Sequence, residues 1–135
     1  MTAEGRLDAA DTVELTVPAD PAYLSVLRTV IASLAARWDF TLDEIDDLRI
    51  AVDEAGALLL PHADPGSQLS AVFSGEAASL RVEVAVTVPD TGAGQPDRSS
   101  FAWLVLTALT DSVALTGSGQ RLSLTLSKAR GAQDP

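Results

Sequence analysis

The stretch TLDEIDDLRIAVDEAGALLL, residues 41–60, decides the fold because it joins a helix start to a continuous core stripe. Thr41 and Glu44 have the spacing of a capping box, and acids fill the first turn, where the helix dipole favours negative charge. Apolar residues then recur every three or four positions and predict an amphipathic helix. The core stripe comprises Ile45, Leu48, Val52, Ala55 and Leu59.

A second stripe of the same helix carries Asp47, Ala51, Glu54 and Leu58, well separated from the core stripe. Glu54 is therefore expected to point away from the first packing face. The adjacent carboxylates Asp53 and Glu54 admit two interpretations, a solvated helix face or a carboxylate in a pocket. The helical pattern alone leaves both open.

Upstream of this helix, TVELTV (residues 12–17) alternates as a half-buried strand does. Residues 21–38 then repeat apolar side chains at helical spacing, with Asp20 as N-cap and Pro21 as the first helical residue. The short break before Thr41 predicts that the two helices form an antiparallel pair, or nearly so.

Downstream, two alternating segments predict strands over residues 69–73 and 80–88, joined by a turn at Gly75. Residues 99–112 are apolar almost all round, which predicts a buried helix capped by Ser99 or Ser100. A hairpin around residues 117–119 closes the chain.

The order strand, helix, helix, strand, strand, helix, strand, strand predicts an α/β two-layer sandwich with a mixed or antiparallel sheet. A doubly wound fold is excluded because no strand–helix–strand alternation repeats. With 135 residues, 47% of them hydrophobic, we expect one domain over 1–135 with its core at about 12–127.

Nine basic residues stand against nineteen acidic ones, for a net charge of −10. This balance argues against a nucleic-acid partner, since phosphates would be repelled over most of the surface. The chain has no cysteine and one histidine, His62, so neither a disulfide nor a histidine-cysteine metal site is expected. We find no signal peptide or membrane span, which predicts a cytoplasmic protein without membrane contact.

The residues DTGAG (90–94) follow the valine-rich strand directly. Asp and Gly are what a tight turn requires, so a turn is the simpler interpretation. An Asp at a strand end can also reach into a crevice, while glycines let the backbone approach a flat ligand such as a purine.

These segments, in this order, resemble the RsbW-type anti-sigma factors, which are serine-protein kinases of the histidine-kinase-like (GHKL) ATPase superfamily. The resemblance runs from about Thr12 to Ser127 and is strongest to actinobacterial members through DLRIAVDEAGALLL and SSFAWLVLTALTDSVAL. It implies a GHKL ATPase fold, with a largely antiparallel sheet covered by about three helices.

The resemblance implies a role for each motif residue. Glu54 matches the glutamate proposed as general base, whereas Leu58 stands where the family has the Asn that holds Mg²⁺. Asp90, Gly92 and Gly94 match the adenine side of an ATP site. Ser99 and Ser100 are the candidate phosphate-side residues, because a helix N-terminus can bind an anion. The family's extended lid and second glycine motif are missing from this sequence.

The resemblance also implies partners: an alternative sigma factor, an anti-anti-sigma factor of the STAS type, and a second copy in a homodimer. The acidic surface suits a sigma factor, which carries basic DNA-contacting regions. Two functions follow. In the first, this chain has a degenerate ATP site and sequesters a sigma factor. In the second, it is an active serine kinase that phosphorylates the anti-anti-sigma factor.

Overall fold

The computed structural model describes residues 11–89 and 96–131. Its elements follow the predicted order. The strands are β1 (Thr12–Pro18), β2 (Gln68–Glu76), β3 (Ser79–Thr87), β4 (Ser112–Ser118) and β5 (Arg121–Ala129), and the helices are α1 (Leu24–Arg37), α2 (Leu42–Leu59) and α3 (Phe101–Leu109). Short 3₁₀ turns precede α1 and follow α2. Asp20 caps the first of these turns, so the segment predicted as one helix from Pro21 is regular α-helix only from Leu24.

The five strands form one antiparallel sheet in the order β1-β2-β3-β5-β4. Residues that are directly paired on neighbouring strands form a row across the sheet, and their side chains point to the same face. That row is Leu15, Ala71, Val84, Leu124 and Leu115. The helices cover this face, so the predicted α+β two-layer architecture is confirmed, and the sheet is antiparallel rather than mixed.

The core lies between the sheet and the first two helices. The predicted core stripe of α2 is buried throughout, and Trp38 at the end of α1 is 2% exposed. A Cβ atom on Gly56 would lie 2.5 Å from Cδ2 of Leu24. The missing side chain of Gly56 therefore lets α1 approach α2 closely.

The turn predicted at Gly75 is wrong. Gly75 lies inside β2, opposite Leu80, and the hairpin turns at Ala77 and Ala78. Ala77 takes the positive φ, 55°, that a two-residue hairpin requires. The closing hairpin is confirmed, with its turn at Gly119, where φ is 60°.

The prediction of a buried last helix is also wrong. Ser100 caps α3 as expected, but Leu106 is its one buried residue. Phe101 and Leu104 are 76% and 58% exposed. The physical reason is that α3 packs mainly on α2, with a smaller contact to β4, so its opposite side lacks a partner within the described residues. No helix in those residues is long and apolar enough to cross a membrane.

Candidate functional site

Asp53, the first of the two adjacent carboxylates on α2, is bound to α1. Its Oδ1 lies 2.7 Å from Nη1 of Arg28, and both side chains are about one third exposed. This ion pair joins the two helices across their packed faces. Local sequence patterns do not predict this ion pair, although Arg28, a single charge in the middle of the apolar α1 sequence, is a usable signal.

Glu54, the second carboxylate, lies on a stripe that is itself partly buried. Ala51 is fully buried and Leu58 is 6% exposed, while Glu54 is half-buried. Asp47 on the same stripe lies 3.5 Å from Nζ of Lys128 on β5. The solvated-face interpretation therefore fails for this stripe, which forms a second packing surface of α2.

Leu58 occupies the position at which the resemblance expects a metal-holding Asn. Its side chain is buried in the core cluster and carries no oxygen. Magnesium is held by oxygen ligands with near-octahedral geometry. The residue present here therefore does not fit a Mg²⁺ site.

The N-terminus of α3 is capped from within the chain. Oγ of Ser100 accepts a hydrogen bond from the Trp103 amide at 3.2 Å. Oδ1 of Asp97 accepts two more, from the Ser99 hydroxyl at 2.6 Å and from the Ser99 amide at 2.8 Å. These two bonds lower the pKa of the Asp97 carboxyl, which favours its charged form. A phosphate at this helix end would meet the Asp97 carboxylate and the Ser99 hydroxyl, which already donates to that carboxylate.

Arg98, the cation next to this helix end, is also engaged. Its Nη2 donates to the Leu115 carbonyl at 3.3 Å, and its guanidinium carbon lies 5.7 Å from the centre of the Trp103 ring. The charge thus sits over the junction of α3 and β4, with a cation–π contact to the helix.

The helices that carry Glu54 and Ser100 are neighbours, since α2 packs against α3. Asp90, Gly92 and Gly94, the adenine-side residues of the sequence prediction, lie outside the described residues. They follow β3 and precede α3 in the chain. Of the predicted site residues, Glu54, Ser99 and Ser100 thus come from adjacent elements.

Comparison with known proteins identifies the family. A family model for the histidine kinase-like ATPase domain matches residues 17–128, so the chain belongs to that family. Within it, the chain belongs to the RsbW group. It is 33% identical over 118 residues to the anti-sigma-F factor RsbW of Mycobacterium tuberculosis, a match that covers 87% of this chain and 69% of the relative. The predicted family is confirmed.

The serine-protein kinase RsbW of Bacillus subtilis is 39% identical over 79 residues, which is 56% of this chain. The match spans about half of that relative, 49% of its length. A crystal structure of RsbU and RsbW domains from M. tuberculosis superposes with a TM-score of 0.65 at 15% identity. It covers 90% of this chain and 33% of that one, and it confirms the fold.

Proposed function

We propose that this protein is an anti-sigma factor of the cytoplasm. It binds and sequesters an alternative RNA polymerase sigma factor and releases it when an anti-anti-sigma protein of the STAS type binds in turn. The mycobacterial relative, named an anti-sigma-F factor, supports this kind of partner. The observation that favours this binding function over a kinase is Leu58, buried and apolar at the position where catalysis would need an oxygen ligand.

We further propose that the ATP site of this protein is degenerate, which means that it has lost residues needed for phosphoryl transfer. Phosphoryl transfer depends on positioned phosphates and on neutralisation of their charge. Leu58 offers no metal ligand, and the Asp97 carboxylate stands beside the helix end that would face the phosphates. ATP then binds without efficient turnover, with Asp90, Gly92 and Gly94 on its adenine side and Ser99 and Ser100 on its phosphate side.

The second candidate function is an active serine kinase. Glu54 favours it, because the candidate general base is retained on a half-buried stripe of α2. The names of the Bacillus relatives, serine-protein kinases, point the same way. The substrate would be a serine of the anti-anti-sigma protein.

One assay distinguishes the two functions. The purified protein is mixed with ATP, Mg²⁺ and each STAS-type protein encoded in its own genome, and phosphate transfer is followed with labelled ATP. In parallel, each alternative sigma factor of that genome is tested for a stable complex by size-exclusion chromatography. We expect a sigma complex and no transfer above background.

The matched variants Glu54→Gln and Asp53→Asn control the kinase arm. Transfer that Glu54→Gln abolishes and Asp53→Asn retains would establish the kinase function instead. Both variants remove one carboxylate charge from adjacent positions of α2, so a difference between them isolates the role of Glu54.

A further inference from the structure

The helix α3 presents two apolar stripes, and residues 11–89 and 96–131 cover only one of them. The inner stripe packs on the core through Ala102, Trp103 and Leu106. The second stripe, called here the α3 outer face, consists of Phe101, Leu104, Val105 and Ala108. Its positions i, i+3, i+4 and i+7 form one continuous face of a helix.

The α3 outer face is open to solvent. Phe101 is 76% and Leu104 58% exposed, Ala108 is exposed and Val105 is half-buried. Contiguous apolar surface of this kind marks an interaction site more often than an isolated exposed leucine does. Aromatic and aliphatic anchors on one helix face also match the mode in which a helix docks against an apolar partner surface.

The charges around this face are unequal in accessibility. Arg98 is exposed, although its guanidinium lies near the Trp103 ring and donates to the Leu115 carbonyl. Lys128, whose side chain is 15% exposed, donates to the Leu109 carbonyl and pairs with Asp47. The acids Asp97 and Asp111 are exposed at the two ends of the helix. The rim therefore carries two exposed acids and one exposed cation, Arg98, so its net charge is negative.

We infer that the α3 outer face is the surface that binds the sigma factor, through an amphipathic segment with an apolar face and a basic rim. This inference rests on the proposed function. Charge complementarity selects the occupant: a second copy of this chain would bring another net charge of −10 to an acidic rim, whereas a basic segment is attracted to it.

The test measures the dissociation constant of the full-length protein for each purified alternative sigma factor of its genome, by isothermal titration calorimetry. The double variant Phe101→Ser/Leu104→Ser removes the apolar anchors, and we expect at least a tenfold loss of affinity. The control Leu42→Ser/Ile50→Ser removes two comparably exposed apolar side chains from α2, 80% and 46% exposed, and should leave affinity within twofold.

The contribution of the charged residues around the α3 outer face is tested by the rate at which the protein associates with the sigma factor. Asp111→Asn keeps a side-chain oxygen for the hydrogen bond that Asp111 accepts from the Ala129 amide and removes one charge. We expect association to slow two- to fivefold at low salt. An unchanged rate would overturn the assignment of a basic rim to the partner.

The remaining outcomes separate this inference from the function on which it rests. If the wild-type protein binds no sigma factor, the proposed function fails and the inference fails with it. If binding is intact in Phe101→Ser/Leu104→Ser, or lost in the α2 control, the function stands and the inference is overturned. A wild-type dimer that this double variant converts to monomer, with sigma binding unchanged, would assign the face to a second copy.

Discussion

The helices α2 and α3 pack against each other, yet they differ in how many of their apolar residues are buried. Eight residues of α2 are buried, on two stripes, and its charged groups pair with α1 and β5. The more apolar α3 buries Leu106 alone. The large apolar residues of α2, with the exception of Leu42 and Ile50, are thus explained by burial in the core, whereas Phe101 and Leu104 of α3 are exposed. The contrast teaches that an apolar helix is not necessarily a core helix.

The same substitution in both helices gives the largest expected effect. Leu58→Asn in α2 removes a buried leucine and buries an amide, which should lower the free energy of unfolding by about 4 kcal/mol. Leu104→Asn in α3 should change it by less than about 0.5 kcal/mol, because the side chain is 58% exposed. Urea denaturation of both variants measures the difference, and equal losses would show that the outer stripe of α3 belongs to the core after all.

A smaller effect tests the start of α2. Glu44 bonds to the Thr41 and Gly131 amides, at 2.7 and 2.6 Å. Burial raises the pKa of Glu44, but hydrogen bonds from Thr41 and Gly131 outweigh it, and the net pKa lies below the usual 4.5. Glu44→Gln should therefore cost about 1 kcal/mol at pH 7.

The pH dependence of that loss has a definite sign. A carboxyl whose pKa is lowered by folding stabilises the protein above its unfolded pKa, and the stabilisation disappears as pH falls through the folded value. The difference between wild type and Glu44→Gln should thus hold from pH 7 to about 5 and shrink below 4.5. Asp43→Asn, an exposed acid of the same turn, is the control and should show a smaller loss. A difference that grows on acidification contradicts the assigned hydrogen bonds.

The smallest expected effect concerns the ion pair between α1 and α2. A double-mutant cycle with Arg28→Ala and Asp53→Ala should give a coupling energy of about 0.5 kcal/mol, since the pair is partly exposed. The pair Arg49 and Asp46, more exposed and 3.5 Å apart, should couple by nearly zero. A larger value for this second pair would reverse the proposed ranking of the two contacts.

Local patterns predicted much of the fold from particular residues. The Thr41 and Glu44 capping box, the Asp20 cap and the alternation of β3 were all read correctly, because each depends on neighbours within a few positions. The turn at Gly75 was misplaced, because hairpin register is set by the partner strand as well as by the permissive residue.

The site was less predictable. The helix stripes singled out Glu54 and the start of α3 singled out Ser99 and Ser100, but the catalytic and phosphate roles of these residues came only from the family resemblance and stay proposals. The engagement of Ser99 by the Asp97 carboxylate depends on the fold of a turn that no periodicity describes. The ion pair of Arg28 with Asp53 joins residues 25 positions apart, beyond the reach of any local rule.

By itself, the sequence determined the element order, the caps, the apolar faces of α2 and the sheet, and the Leu58 replacement, because these follow from residue type and short-range spacing. Only the tertiary structure decided that Asp53 is bound to Arg28, that the Glu54 stripe is a packing surface, and that α3 exposes an apolar face. The reason is that burial and pairing depend on which elements meet in space, and an apolar residue has the same hydropathy whether it faces a core or an open surface.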